Sequence, residues 1–342
     1  MNLSPDGIRK ILCIKLKGIG DVVLSSIVFD SLIAYFLQAE IHYLTEKPSE
    51  SLLKKLPFIK KVHLFRKKEQ FGGLKTIADI RQEKYDLILD FYSNPRTALI
   101  TFLSGAKYRA GFPYRGRSYA YNIFGPEERA LYHAAELHLK FLEKAGIAVT
   151  SSKLHFGTDK ADDDFADRFW QETYQSGETV TGISPTGGWE SKKCDPEVLY
   201  EIADAVQKRL NNRILILWGP GDEKDAEKIH SLSAGRFDLA PKCSITEMAA
   251  LIKKCRGMIA NDSGPMHISS AVGTPVLGLF GPTDPRLQGP YGKNNRYFRI
   301  EDLDCIACNL LECPRQHECF RQIPVESVVL AYQQMTGSSG NV

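Results

Sequence analysis

The chain has 342 residues, of which 43% are hydrophobic and 25% are charged. This length corresponds to about two domains of ordinary size, and the composition excludes a chain that is disordered throughout. No apolar run approaches the ~20 residues needed to cross a bilayer, and residues 1–10 are polar, without the core of a signal peptide. We therefore expect a cytoplasmic protein whose eight cysteines are reduced thiols or metal ligands.

The net charge of +3 is divided unevenly along the chain. Residues 1–160 carry 25 Lys and Arg against 16 Asp and Glu, a balance of +9, whereas residues 161–342 carry 19 against 25, a balance of −6. This asymmetry indicates two domains with different tasks. The basic half suits an anionic partner such as a phosphorylated glycan, a membrane surface or nucleic acid, although a solvated surface explains the same charge.

In the first half, apolar runs alternate with amphipathic segments of helix length, which predicts βαβ units around a parallel sheet. Strands are predicted at residues 11–16, 41–44, 62–65 and 87–91, and helices at 22–37, 74–81, 96–102 and 134–145. Gly146 is a suitable stop for the last of these helices. The polar, acidic stretch 160–164 is interpreted as the approach to a linker.

The second half repeats the alternation after this stretch. Strands are predicted at residues 180–184, 214–218, 257–260 and 275–280, and helices at 196–210, 225–232, 248–254 and 265–272. No repeat of 20–50 residues is visible, which argues against a solenoid. The pattern predicts an α/β protein with two doubly wound domains that face each other.

Four loops follow predicted strands, where the helix N-termini of open α/β sheets direct backbone N–H groups toward a ligand. They are residues 17–21 (KGIGD), 184–193 (SPTGGWESKK), 219–223 (GPGDE) and 261–267 (NDSGPMH). In the first loop, glycines allow a ligand to approach, and Asp21 is either a functional acid or an ordinary helix cap. Val23 stands where a dinucleotide fingerprint needs its third glycine, which argues against a dehydrogenase.

The other three loops suit a phosphorylated ligand. Glycines followed by lysines in the second loop fit a diphosphate, although solvated surface lysines show the same pattern. In the third loop, Glu223 could accept hydrogen bonds from ribose hydroxyls, or it could simply favour the start of a helix. In the fourth loop, Pro265 opens a helix capped by Ser263 or Gly264, whose N–H groups would hold an anion. His267 is either structural or functional.

Together, these loops resemble glycosyltransferase family 9, the ADP-heptose:lipopolysaccharide heptosyltransferases. The resemblance is carried by residues 11–23 (ILCIKLKGIGDVV), 187–196 (GGWESKKCDP), 217–223 (LWGPGDE) and 259–285 (IANDSGPMHISSAVGTPVLGLFGPTDP), with RAGF at 109–112 and the cysteine-bearing tail near 305–319. It implies an inverting transferase that moves a heptose from ADP-heptose to a lipopolysaccharide inner-core acceptor.

The resemblance also implies a GT-B fold, in which two Rossmann-like doubly wound domains face a central cleft. Residues 1–160 would then bind the acceptor, an anionic glycolipid that suits the basic half. Residues 161–342 would bind the nucleotide sugar, with room for the last helix to pack back on the first domain.

Site residues follow by position in the matching motifs. Asp21 matches the family's catalytic base, and Lys192 matches the lysine that contacts the donor diphosphate. The implied donor-side positions are Thr186, Gly187, Glu223, Asp262, Ser263, Gly264 and His267, and Gly18 and Gly20 lie on the acceptor side. Among them, Asp262 matches an aspartate near the donor sugar. Departures from the family at Cys194, at residues 24–26 and at residues 17–18 leave the exact donor sugar and acceptor open.

This residue set suits glycosyl transfer. A carboxylate can take the proton of the acceptor hydroxyl, and a lysine with a helix N-terminus can stabilise the departing nucleoside diphosphate. No D-x-D motif stands in a suitable loop, so neither a metal nor another cofactor is expected.

Four cysteines lie close together near the C-terminus, as Cys305-x2-Cys308-x4-Cys313-x5-Cys319. Thiolates at such spacing can hold zinc or an iron–sulfur cluster. Similar cysteines recur in the resembling family without a catalytic metal. We interpret these four as structural, as free thiols, an adventitious disulfide or a zinc staple.

Three alternatives stay open. The first keeps the fold and reaction but uses another nucleotide sugar or glycan acceptor. The second is a non-catalytic nucleotide-sugar-binding homologue, against which Asp21 and Lys192 argue. The third is a nucleic-acid-binding protein, for which no recognisable module is present. Peripheral contact with the inner membrane would use a basic surface, which a solvated face explains equally well. That surface comprises Lys54, Lys55, Lys60, Lys61, Arg66, Lys67 and Lys68.

Overall fold

Two six-stranded sheets organise the part of the chain that the structure, a computed structural model, describes. The described residues are 3–66, 69 and 71–337, so Lys67 and Lys68 of the basic surface lie outside them. The chain divides into two units, Met1–Gly157 and Thr158–Val342, and each unit holds one of the sheets.

The sheet of the first unit is parallel, with strand order β3-β2-β1-β4-β5-β6. Its strands are β1 (Lys10–Ile14), β2 (Glu40–Thr45), β3 (Ile59–Leu64), β4 (Leu87–Asp90), β5 (Tyr108–Gly111) and β6 (Ile123–Phe124). The helices are α1 (Ile19–Ser25), α2 (Phe29–Tyr35), α3 (Glu50–Lys54), α4 (Gly72–Gln82), α5 (Pro95–Leu103) and α6 (Ala134–Lys144). This is the Rossmann order, whose direction reverses between β1 and β4, where such sheets bind ligands.

The helix predicted at residues 22–37 is divided into α1 and α2. The hydroxyl groups of Ser25 and Ser26 donate to the carbonyls of Val22 and Val23, three residues earlier. Such side-chain bonds compete with the helical hydrogen bonds and bend the chain. A short 3₁₀ turn, Ser26–Val28, therefore separates the two helices.

The second unit repeats this topology, with order β12-β11-β10-β7-β8-β9 and parallel pairing. Its strands are β7 (Val180–Ser184), β8 (Arg213–Ile216), β9 (Asp238–Leu239), β10 (Gly257–Asn261), β11 (Val276–Leu279) and β12 (Arg296–Phe298). The helices are α7 (Lys160–Thr173), α8 (Pro196–Leu210), α9 (Glu223–Leu232), α10 (Ile245–Lys254), α11 (Gly264–Val272), α12 (Pro285–Gln288), α13 (Glu318–Arg321) and α14 (Val325–Thr336). The last helix, α14, packs against α8, β11 and β12 of its own unit. Here the order reverses between β7 and β10.

The interpretation of residues 160–164 as the approach to a linker is wrong, because this stretch is the first turn of α7. Asp159 caps the helix in a reciprocal capping box with Asp162. One turn on, Lys160 pairs with Asp164 at 2.7 Å in an i,i+4 ion pair. Local caps and pairs of this kind start a helix whose exposed face is polar. No described helix is long and apolar enough to cross a membrane.

Buried histidines make the first unit sensitive to acid. His42 Nδ1 and His63 Nε2 lie 2.8 Å and 2.7 Å from the hydroxyl of Tyr85. Burial lowers the pKa of His42, and it lowers the pKa of His63 to about 4. The unfolded chain therefore binds protons below pH ~6.5 that the folded chain does not, so stability is complete above that pH and falls as the pH falls.

We expect the free energy of unfolding to decrease between pH 7.5 and pH 5, with about 2 kcal/mol of the loss due to His63. Urea unfolding at the two pH values measures it, and most carboxylates stay ionised over this range. His63→Gln should shrink the difference between the two values by about that amount. An equal difference in the variant and the natural chain would contradict the assignment.

Candidate active site

In the first unit, Asp21 lies at the point where the strand order reverses, in the first turn of α1 after β1. Its side chain is 53% exposed, and its Oδ1 atom lies 3.0 Å from Nζ of Lys15. The helix N-cap is Gly18, not Asp21. Gly18 has φ +75°, and a β-carbon there would lie 2.4 Å from Asp21 Oδ2. The position of the Asp21 carboxylate therefore requires a glycine at residue 18. Gly20, the residue before Asp21, is buried in α1.

In the second unit, Lys192 and Asp262 form a buried ion pair between the loops that follow β7 and β10. Lys192 Nζ lies 2.5 Å from Asp262 Oδ2, and both side chains are less than a tenth exposed. The same ammonium group lies 4.0 Å from the centre of the Trp189 ring. Thr283 donates its hydroxyl to Asp262 Oδ2 at 2.6 Å. The structure thus joins two residues that the sequence placed separately near a diphosphate and a sugar.

Three unsatisfied polar atoms lie on residues 184–193, the loop that carries Lys192. Among the described residues, the buried hydroxyls of Ser184 and Thr186 and the indole N–H of Trp189 have no hydrogen-bond partner. Leaving such a buried group unpaired costs about 1–3 kcal/mol, so a cluster of them indicates a place for a polar ligand. Gly187 follows Thr186, and a β-carbon there would lie 2.4 Å from Cγ of Lys193.

The loop after β10 presents the start of α11. Ser263 is the N-cap, but its hydroxyl donates to the Asn261 carbonyl at 3.2 Å, and no side chain caps the helix. Pro265 has no N–H group, so the N–H groups of Gly264 and Met266 are the donors that this helix N-terminus can offer to an anion. His267 lies one turn into α11 and is buried.

Two further residues, Asn261 and Lys193, fix the loops of the second unit to one another. The amide of Asn261 donates to the Pro185 carbonyl at 3.0 Å, and its oxygen accepts from the Cys194 N–H at 3.3 Å. Lys193 Nζ lies 2.6 Å from Asp222 and 3.1 Å from Asp225. The adjacent lysines of this loop therefore differ in role, because Lys193 ties it to the loop after β8.

Glu223 begins α9 in that loop, and its carboxylate turns back on the backbone. Its Oε2 atom accepts a hydrogen bond of 2.7 Å from the N–H of Gly221. Hydrogen bonds from its own N–H and from that of Gly221 hold the pKa of Glu223 below its ordinary value. The favourable helix start that the sequence allowed is thus present, with the carboxylate ionised.

The cysteine-bearing tail packs on the Lys192 loop. Ser191 bonds through its N–H to the Leu311 carbonyl at 3.2 Å and through its hydroxyl to the Leu310 carbonyl. Glu190 accepts from the Cys313 N–H at 2.9 Å and pairs with His317 at 2.7 Å. All eight cysteines are free thiols, and no group of three or more His, Cys, Asp or Glu among the described residues is placed to hold a metal ion. The tail therefore supports the loop that carries Lys192.

Comparison with known proteins identifies the family. The sequence profile of glycosyltransferase family 9 (heptosyltransferase) matches residues 74–318, more than half of the chain. The chain belongs to glycosyltransferase family 9. This family 9 protein is therefore a glycosyltransferase. The matched range contains Lys192, Glu223 and Asp262 but begins after Asp21.

Relatives and solved structures agree with this assignment. The family 9 enzyme is 25% identical to lipopolysaccharide core heptosyltransferase OpsX of Haemophilus influenzae over 290 residues, 82% of each chain. A family 9 glycosyltransferase from Veillonella parvula superimposes with a TM-score of 0.85 at 20% identity, covering 97% of this chain and 98% of the other. Escherichia coli heptosyltransferase WaaC with ADP gives a TM-score of 0.73 at 16% identity, covering 95% and 99%. The predicted fold class, α/β with two Rossmann-like domains of the GT-B type, is confirmed.

Several residues of the candidate site were not found from the sequence. Lys15, Trp189 and Thr283 each contact a predicted site residue. A signal existed for Lys15, because a lysine directly after the apolar run of a central parallel strand is buried and needs a partner. Trp189 lies in the same loop as Lys192, but its contact with the lysine depends on how that loop turns, and the contact of Thr283 with Asp262 joins two separate loops.

Proposed function

We propose that this enzyme is an inverting heptosyltransferase that moves a heptose from ADP-heptose to a hydroxyl of a lipopolysaccharide inner-core acceptor. The observation that carries the proposal is the buried Lys192–Asp262 pair beside the uncapped start of α11. The relatives are named as lipopolysaccharide heptosyltransferases, which supports the sugar and the acceptor class, and the ADP in the WaaC structure supports the nucleotide. In this proposal the second unit binds the donor and the first binds the acceptor.

The residues of the second unit suit the leaving group. Departure of ADP places negative charge on its β-phosphate, and Lys192 and the free N–H groups in the first turn of α11 stabilise that charge from fixed positions. Thr186 and Gly187 approach the phosphates, and Glu223 faces the nucleoside. Asp262, held by Thr283, keeps the lysine in place beside the sugar, with Ser263 and His267 in the same loop. Because these groups supply the positive charge, no metal ion is assigned to the mechanism.

Asp21 completes the reaction from the first unit. As the acceptor oxygen forms its bond to the anomeric carbon, its proton passes to the Asp21 carboxylate. The anomeric carbon–oxygen bond to ADP breaks on the opposite face, and ADP leaves with the electron pair. Direct displacement inverts the anomeric centre. Gly18 and Gly20 leave space for the acceptor beside the carboxylate.

An anionic glycolipid acceptor would place the enzyme in peripheral contact with the cytoplasmic membrane face. The balance of +9 over residues 1–160 supports this part of the proposal. Pairing reduces the charge of the basic surface, since Lys54, Lys61 and Arg66 each form an ion pair with a carboxylate. Salt-dependent sedimentation with anionic vesicles tests this contact.

A panel of nucleotide sugars tests the donor. At 100 times its dissociation constant, a ligand adds about 2.7 kcal/mol to the stability of the folded state. We expect ADP-heptose to raise the melting temperature more than UDP- or GDP-sugars do, and NMR of the product to show an inverted anomeric centre. If a UDP- or GDP-sugar stabilised the protein more strongly, that sugar would be assigned as the donor instead. If no nucleotide sugar stabilised the protein, the proposed site would be wrong.

A further inference from the structure

A buried lysine, Lys15, pairs with the proposed base, Asp21. Lys15 directly follows β1, and its N–H donates to the Leu44 carbonyl at 3.1 Å, which extends the pairing of the central strands. Its side chain is 5% exposed. An ammonium group removed from water in this way costs several kcal/mol unless an opposite charge pairs with it.

Asp21 is the carboxylate that Lys15 faces among the described residues. Lys15 Nζ lies 3.0 Å from Oδ1 of Asp21 and 5.7 Å from the centre of the Tyr92 ring. The strand fixes the backbone of the lysine, and the aromatic ring borders its ammonium group. The cation is therefore held in one place, whereas the aspartate is half exposed on a short helix.

The two oxygens of the carboxylate have different surroundings. Oδ1 faces the ammonium group, whereas Oδ2 lies above Gly18, where there is no side chain. A general base needs one oxygen free to accept a proton and benefits when the other is held by a fixed partner, as in catalytic triads.

We propose that Lys15 is the positioning residue of the base and holds Oδ1 of Asp21 so that Oδ2 meets the acceptor hydroxyl. The proton passes from the acceptor to Oδ2, and Lys15 takes no part in the proton transfer. This inference rests on the proposed function of Asp21, and it adds that the orientation of the base depends on a charge buried beneath it.

Lys15→Met tests the inference, because methionine keeps an apolar stem and removes the ammonium group. We expect kcat to fall about 10- to 100-fold through loss of orientation, with the KM for ADP-heptose and the thermal shift by ADP unchanged. Lys15→Arg should recover much of the loss. The control is Lys107→Met. Lys107 also lies over a tyrosine ring, at 4.9 Å from the centre of Tyr108. It precedes β5, however, and so lies at the amino-terminal end of the parallel strands, whereas Lys15 follows β1 at their carboxyl end. Its kcat should stay within about twofold.

A double variant separates this inference from the proposed function. In an Asp21→Asn background, Lys15→Met should change kcat less than about twofold, because no base remains to be oriented. Full kcat in Lys15→Met, or an additive loss in the double variant, would overturn the role of Lys15. Full kcat in Asp21→Asn alone would instead overturn the proposed base. If Lys15→Met does not fold, Lys15→Gln takes its place under the same expectations.

Discussion

Asp21→Asn is expected to lower kcat by about 10²–10⁴-fold, the share of a rate that a general base supplies. Asparagine has the shape of aspartate and can still accept a hydrogen bond from Lys15, which lies 3.0 Å away, but its amide cannot take the proton of the acceptor hydroxyl. In the proposed function the second unit binds the donor, so the thermal shift by ADP should be unchanged. Steady-state kinetics with saturating donor measure the effect.

A matched aspartate in the same unit provides the control. Asp30 on α2 pairs with His155 at 2.8 Å and is one-third exposed. Asp30→Asn makes the same substitution at a partly exposed aspartate away from the start of α1, so its kcat should stay within about twofold of the natural value. Asp21→Asn with kcat close to that of Asp30→Asn would show that another group takes the proton.

The order of strands and helices could be predicted because the central strands are buried on both faces. Such strands are nearly continuous apolar runs, as in β1 and β4, and the helices between them show a regular period. The edge strands β6, β9 and β12 were missed because they have two or three residues each. The interior strand β5 was missed because its four residues, YRAG, contain no apolar run. Strands this short show no periodicity, and only their neighbours in the sheet define them.

The site could be predicted as a set of loops but not as a set of contacts. Glycines and a helix start marked the two loops after strands, and the resemblance to family 9 singled out Lys192 and Asp262 within them. Their pairing depends on the adjacency of β7 and β10 in the sheet, which joins residues about seventy positions apart. Lys193 shows the same limit, since nothing in the dipeptide tells which lysine faces Asp262 and which faces Asp222.

Lys192→Met is expected to lower kcat about 10²–10³-fold and to weaken ADP binding, because it removes a fixed positive charge from the leaving group. It should also lower stability by about 3–5 kcal/mol, since Asp262 would remain buried without its ion-pair partner. Asp262 is 5% exposed, and of its partners Lys192 and Thr283 only the Thr283 hydroxyl would remain. Activity loss and destabilisation therefore occur together in this variant.

The double variant Lys192→Met with Asp262→Asn separates the two effects. A neutral asparagine can accept the hydrogen bond from the Thr283 hydroxyl and leaves no buried charge. Most of the decrease in melting temperature should therefore be reversed. Activity and ADP affinity should not return, because the leaving group still lacks its cation. Kinetics, thermal unfolding and ADP titration on the three proteins measure this. Recovery of kcat together with stability would mean that Lys192 serves only to neutralise Asp262, and the positive charge opposite the diphosphate would then have to come from α11 alone.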